Sequence, residues 1–216
     1  MGNEMAEKDE PDLDAAYAVR TPAENRDLYA RWAGTYDSAF VEETSYILHA
    51  QVAEIYAGHA EDEDVPILDV GVGTGLVGEA LAVHGSWPID GIDISPEMLE
   101  RARDKGVYSQ LTELDLSEPL PRRLRNYGAI VSSGTFTHGH LGPNALAPLL
   151  DAARPGALFV ISINAEHFET ADFAGTFQSL EGMIMEPMVV EVPIYAAPAG
   201  TEHDDDRAFI AVFRRL

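Results

Sequence analysis

The run Ile67–Gly75, ILDVGVGTG, joins an apolar strand-length stretch to three alternating glycines, and Ile89–Asp93, IDGID, follows about one βαβ unit later. A strand, a glycine turn, a helix and a second strand ending in an acid leave few folds open. Gly71, Gly73 and Gly75 alternate with Val72 and Thr74, and the helical pattern begins at Leu76. Glycines here permit positive φ and let a ligand approach bare backbone N–H groups. The following helix N-terminus favours a carboxylate or phosphate by about 0.3–1 kcal/mol. A dinucleotide fingerprint, G-x-G-x-x-G, counted from Gly71 would need glycine at position 76, where Leu76 stands; Gly78 is two residues late. The G-K-[ST] ending of a nucleotide-hydrolase phosphate loop is also missing.

The 216 residues suffice for one α/β domain and fall short of two ordinary ones. The longest apolar runs, such as Ala157–Ile163, are strand-length, so no membrane span is expected. The acidic N-terminus, MGNEMAEKDEPD, lacks a signal pattern, and a cytoplasmic location is the expectation. There are no cysteines, which excludes disulfides and thiolate chemistry. The formal charge is −23, with acids concentrated in Glu4–Asp14, Glu61–Asp64 and Glu202–Asp206. These runs read as a solvated tail and two exposed loops. A field of that sign repels phosphate backbones, so no nucleic-acid partner is expected.

Residues 1–22 read as a poorly ordered acidic tail, and residues 23–216 as a single domain. Within it, Leu28, Trp32, Tyr36 and Phe40, then Val52, Ile55 and Tyr56, recur at helical spacing over residues 23–60. Strands and helices then alternate through residues 65–165: Val65–Val70, helix Leu76–His84, Ile89–Asp93, helix Pro96–Lys105, Ser109–Leu114, Ala129–Ser133, helix Asn144–Ala153 and Ala157–Ile163. Such alternation predicts a mostly parallel, doubly wound sheet of Rossmann-like α/β type. Over residues 166–216 the expectation is one helix near Phe168–Leu180, then an antiparallel hairpin of Met188–Tyr195 and Ala208–Phe213.

The pattern Asp69-x-Gly71-x-Gly73-x-Gly75 resembles the first motif of the class I S-adenosylmethionine-dependent methyltransferases. That resemblance implies a seven-stranded sheet, S-adenosylmethionine as cofactor, and a run of site residues in order. Asp93 falls where the family holds both ribose hydroxyls, with Ile94 and Met98 beside the adenine. Asp115, followed by Leu116, stands where an acid meets the adenine amino group, and Ser133 lies beside the methionine portion. Upstream, residues 29–37 (YARWAGTYD) look like the family's N-terminal helical lid, with Trp32 and Tyr36 as covering aromatics. The stretches GVYSQLTELDLSEPLP and SSGTFTHGHLGPNALAPLLDAARPGA are similar to the methyltransferase-like proteins named after the Williams–Beuren critical region. One departure stands out: Gly128, in the turn Tyr127-Gly128-Ala129, occupies a position where the wider family often has aspartate.

Methyl transfer from a sulfonium needs alignment above all, and proximity alone supplies about 7–11 kcal/mol. A general base is needed only where the acceptor is protonated at working pH. His138 is the first candidate and His140 the second, in the loop after the fourth strand; no metal site is expected from this pair. Ser132-Ser133-Gly134-Thr135 fills the slot of the [DNS]-P-P-[YF] tetrapeptide associated with amino-nitrogen methylation. With the net charge, this makes a small-molecule acceptor the expectation, and oligomeric state stays open. Two alternatives remain at this point: a binding protein that keeps the cofactor without turnover, and a nicotinamide-dependent oxidoreductase, which Leu76 opposes.

Overall fold

The computed structural model describes residue 11 and residues 13–42, 44–116, 118, 120–196 and 205–216. Its strands are β1 (Ile67–Val70), β2 (Ile89–Asp93), β3 (Gln110–Glu113), β4 (Tyr127–Phe136), β5 (Ala153–Asn164), β6 (Met188–Pro193) and β7 (Arg207–Arg214). They form one seven-stranded sheet in the order β3-β2-β1-β4-β5-β7-β6. The first five strands run parallel, and β7 pairs antiparallel with both β5 and β6. The mostly parallel sheet and C-terminal hairpin follow the sequence pattern.

Alternate residues of the central strands feed two cores, as the pleat requires. Ile67, Ile89, Val131 and Val160 pack with Val52 and Tyr56 of α3 (Leu48–His59) and Leu81 of α4 (Leu76–His84). Leu68, Val70, Ile130 and Phe159 pack on the other side with Leu146 and Leu149 of α6 (Leu146–Ala152). The helix expected near 168–180 is instead two, α7 (Ala165–Thr170) and α8 (Phe173–Ser179). They part at Asp172, which takes a left-handed φ of 55° and caps α8 by accepting from the Gly175 amide. Asp favours such caps over helix interiors because its side chain competes for backbone N–H groups.

Of the expected tail, residues 1–10 and 12 lie outside the described residues, but Leu13–Ala18 form a helical turn, α1. Ala16 and Val19 are buried, and Val19 packs its backbone against Gly139 in the loop after β4. The chain then enters α2 (Pro22–Trp32) through a complete capping box of Thr21 and Glu24, with Pro22 in the first turn. A break at Ala33-Gly34-Thr35 precedes a π-helical stretch, Tyr36–Glu42, ahead of α3. The break does not separate the aromatics. Trp32 and Tyr36 meet edge to face with ring centroids 5.1 Å apart.

The acidic run Glu61–Asp64 is not wholly solvated. Asp64 is 3% exposed and accepts both guanidinium nitrogens of Arg214, at 2.7 and 2.9 Å. A buried carboxylate persists only with such a partner, and the partner lies at the end of β7, 150 residues away. Among the described residues no helix is long and apolar enough to cross a membrane.

Gly128 has a steric reason. A Cβ there would come within 2.4–2.6 Å of the backbone of Glu63 and Val65, where no flexible side chain is available to yield. The departure from aspartate therefore belongs to the tight approach of the loop before β1 to the start of β4. Gly128→Ala should lower stability in urea denaturation by at least about 2 kcal/mol; an unchanged midpoint would show that the two backbones do not press together.

Candidate active site

The chain leaves β1 toward β2 and β3, then crosses back to lay β4 on the other side of β1. At such a reversal of strand order the carboxyl ends of β1 and β4 face a crevice. A cavity of about 200 Å³ lies there. Its walls bring together Gly71, Gly73, Asp93, Ile94, Met98, Asp115, Leu116, Ser133 and, from the segment after α2, Tyr36. Three other sequence-predicted residues stand back from it. Gly75 caps α4, Asp69 lies beneath the turn, and Trp32 lines a smaller adjoining chamber.

The turn after β1 needs its glycines. Gly71, Gly73 and Gly75 have φ of 68°, 52° and 91°. A Cβ at Gly71 would strike the Thr135 side chain, whereas one at Gly73 would meet nothing within 4 Å. The Gly73 amide donates to Asp93 Oδ2 at 2.8 Å, and the Ser95 amide donates to Oδ1 at 2.9 Å. Ser95 also caps α5 (Pro96–Asp104), accepting from the Met98 amide at 3.3 Å. Burial raises the Asp93 pKa, and the amides of Ser95, Gly73 and Ile94 hold back that rise. Each carboxylate oxygen keeps acceptor capacity beyond one amide bond.

Asp69 is fully buried, and its Oδ2 accepts from the Tyr108 hydroxyl at 2.7 Å while Oδ1 has no partner. The same hydroxyl accepts from the Gly78 amide at 3.0 Å, joining β1, α4 and the segment before β3. Burial pushes the Asp69 pKa up to about 7, against the Tyr108 hydrogen bond and helped by the nearby Asp93 charge. Tyr108 carries no signal beyond its place in the GVYSQ stretch.

A second contact missed in the sequence clamps the aromatic segment to the turn. Asp37 Oδ1 accepts from Thr74 Oγ1 at 2.5 Å, and Asp37 Oδ2 pairs with Lys105 at 3.1 Å. Lys105 also holds Glu79 of α4 at 2.7 Å. Partial burial opposes the Lys105 charge, but these two carboxylates outweigh it and raise its pKa. On the β4 side, the hydroxyls of Tyr46 and Ser133 share a hydrogen bond of 3.0 Å.

His140, rather than the first candidate His138, lines the cavity. Its Nδ1 lies 2.9 Å from the His138 carbonyl and must donate to it, which leaves Nε2 to accept from the Tyr29 hydroxyl at 3.1 Å. Burial lowers the His140 pKa, against the His138 carbonyl, which favours the protonated ring. His138 meets His167 edge to face, and its buried Nε2 stands 3.9 Å from Glu166 without a hydrogen bond. Among the described residues no three His, Cys, Asp or Glu side chains gather as metal ligands.

The raised Asp69 pKa has a defined sign. Between the ordinary value of 3.8 and about 7 the folded protein holds a proton that the unfolded chain releases. Stability therefore falls as pH rises through that window. Asp69→Asn should flatten that part of the stability–pH curve measured by denaturant midpoint, and an unaltered slope would place its source elsewhere.

The methyltransferase-domain family matches residues 67–156, from β1 into β5. Human methyltransferase-like protein 27 is 32% identical over 156 residues, covering 68% of this chain and 61% of the relative. The bovine 18S rRNA (guanine-N(7))-methyltransferase is 36% identical over 72 residues, covering 33% of this chain and 25% of the relative. The chain thus spans less than two thirds of these relatives. Among solved structures, the N-methyltransferase NodS from Bradyrhizobium japonicum superposes with a TM-score of 0.63 at 17% identity, covering 88% of this chain and 97% of that one.

The rRNA-directed relatives overturn the expectation that nucleic acid is excluded, and with it the charge-based ground for a small-molecule acceptor. The physical reason is that net charge sums acids wherever they stand. At physiological salt the field of an exposed acid is screened beyond about 8 Å, so −23 over the whole chain does not describe one site. The matched domain, the relatives and the sheet order agree with one another. Residues 67–156 carry a methyltransferase domain, and the relatives and the sheet order support a class I S-adenosylmethionine-dependent methyltransferase.

Proposed function

We propose that the chain transfers a methyl group from S-adenosylmethionine, in line, to an acceptor entering from the aromatic side of the cavity. The observation that carries this is the Asp93 carboxylate, fixed by the Gly73 and Ser95 amides on the cavity wall beside a glycine whose Cβ direction is open. A carboxylate so held is pre-oriented to accept from two vicinal hydroxyls, the group a ribose presents, without reorganising when they arrive. Ile94, Met98 and Leu116 supply apolar surface for a flat base, with Asp115 at its edge. The first turn of α4 reaches the cavity through Leu76 and Val77, and a helix N-terminus there favours a carboxylate.

When bound, S-adenosylmethionine supplies an electrophilic methyl carbon on a sulfonium. The protein's own part is alignment and exclusion of water. Asp37 ties the Tyr36 segment down onto Thr74, and Tyr36, Tyr46 and Ser133 enclose the cavity opposite Asp93. Two rings of the lining could take a proton: His140, through Tyr29, and His49, whose Nδ1 is buried with no hydrogen bond among the described residues. His138 has no such position.

S-adenosylhomocysteine at about one hundred times its Kd should add ~2.7 kcal/mol, which is about 5–10 °C in melting temperature for a chain of this size. NAD should add nothing, and Asp93→Ala should remove most of the shift. Stabilisation by NAD alone would sink the reading, and a full shift in Asp93→Ala would move the ribose elsewhere. Label transfer from methyl-tritiated cofactor, offered ribosomal RNA in one arm and a metabolite extract in the other, divides the acceptor classes.

A further inference from the structure

Beyond the main cavity lies a second chamber of about 70 Å³, which shares Tyr29, Tyr36, Tyr46, Gly134 and His140 with it. Its remaining walls are chiefly aromatic and aliphatic: Trp32, Phe40, Phe136, Leu48, Ile194 and Tyr195. The rings enclose one another, with Trp32 and Phe40 centroids 5.5 Å apart and Phe40 and Tyr46 5.3 Å apart. Among the described residues no aspartate, glutamate, lysine or arginine contributes to the lining.

Two polar atoms of these walls are buried with no partner among the described residues. The indole Nε1 of Trp32, a residue 3% exposed, and the hydroxyl of Thr137 are both buried without a hydrogen bond. Two other polar side chains of the lining are engaged within the fold. Ser162 accepts from the Gly134 amide and Asn164 from the His167 amide. A buried, unmatched donor costs about 1–3 kcal/mol. An incoming group that satisfied both atoms would recover that cost on binding.

We propose that this chamber seats the reacting end of the methyl acceptor, and that this end is an uncharged group bearing an oxygen that accepts from the Trp32 indole and bonds to Thr137. The proposal rests on the methyltransferase reading and adds the acceptor's chemistry to it. Trp N–H is a donor only, so its partner must carry a lone pair; Thr137 can donate to the same oxygen or accept from a neighbouring N–H or O–H. An ionised head group would enter without a counter-charge from the walls and lose its hydration. A cation would find ring faces but leave the indole N–H unmatched. Size limits the group as well. An apolar cavity that admits benzene measures about 150 Å³, roughly twice this one. The chamber therefore takes a head group of a few heavy atoms, borne either by a free metabolite or by the edge of a nucleobase.

The indole signals of ¹⁵N-labelled protein test this directly, because Trp32 and Trp87 are the only tryptophans and Trp32→Phe assigns the pair. With S-adenosylhomocysteine bound, acetamide should move the Trp32 signal, while acetate and methylammonium at equal concentration should not. Thr137→Val should weaken acetamide about fivefold without changing the thermal shift given by S-adenosylhomocysteine. A Trp32 signal unmoved by acetamide, or moved more by either ion, overturns the proposal. So does undiminished acetamide binding in Thr137→Val. Because cofactor stabilisation is read separately, its loss condemns the methyltransferase reading and its persistence isolates the chamber. Displacement of acetamide by intact ribosomal RNA indicates a base-borne head group, and displacement only by a dialysable extract indicates a free one.

Discussion

The hydrogen bonds from the Gly73 and Ser95 amides to Asp93 hold the site together. The Gly73 bond joins the turn after β1 to the end of β2, alongside the Gly71 and Val72 amides on the Ile92 carbonyl, and the Ser95 bond orients the same carboxylate from its other side. The Gly73 bond depends on backbone that only glycine adopts readily, and the Ser95 bond sets the entry into α5. A carboxylate aimed by the fold rather than by its ligand costs little to use.

Beneath that wall, Asp69 and Tyr108 do a similar task out of contact with the cavity. The Tyr108 hydroxyl links Asp69 of β1 to the Gly78 amide of α4, holding the helix whose first turn faces the cavity. Above it, Asp37 fastens the aromatic segment to Thr74 and Lys105. The cavity is thus pinned from three sides by polar contacts, while its acceptor-facing side is aromatic. That division of labour suits a reaction in which one partner is held by hydrogen bonds and the other by enclosure.

Much of this was legible in the sequence because it depends on local spacing. The glycine alternation, the acid at the end of β2 and the Ser95-Pro96 helix start are short-range patterns with direct steric or hydrogen-bonding causes. What was not legible depends on residues distant in sequence. Asp64 reads as one more acid in a solvated run, and only Arg214 at the end of β7 makes it a buried ion pair. His138 and His140 cannot be ranked by spacing two apart; the Tyr29 hydroxyl and the His138 carbonyl decide which ring faces the cavity. Asp172 splitting α7 from α8 was a local signal passed over, since an aspartate in a helical pattern is also a cap. Net charge misleads for another reason, because a sum over the chain is not a property of one surface.

The central claim is that Asp93, held by the glycine turn, receives the ribose of the cofactor. A crystal structure of the complex with S-adenosylhomocysteine tests it most directly. Both ribose hydroxyls should lie within hydrogen-bonding distance of the Asp93 carboxylate, with the Gly73 and Ser95 amide bonds intact. A ribose bound away from Asp93, or a turn that must release Asp93 to admit the ligand, would contradict the account.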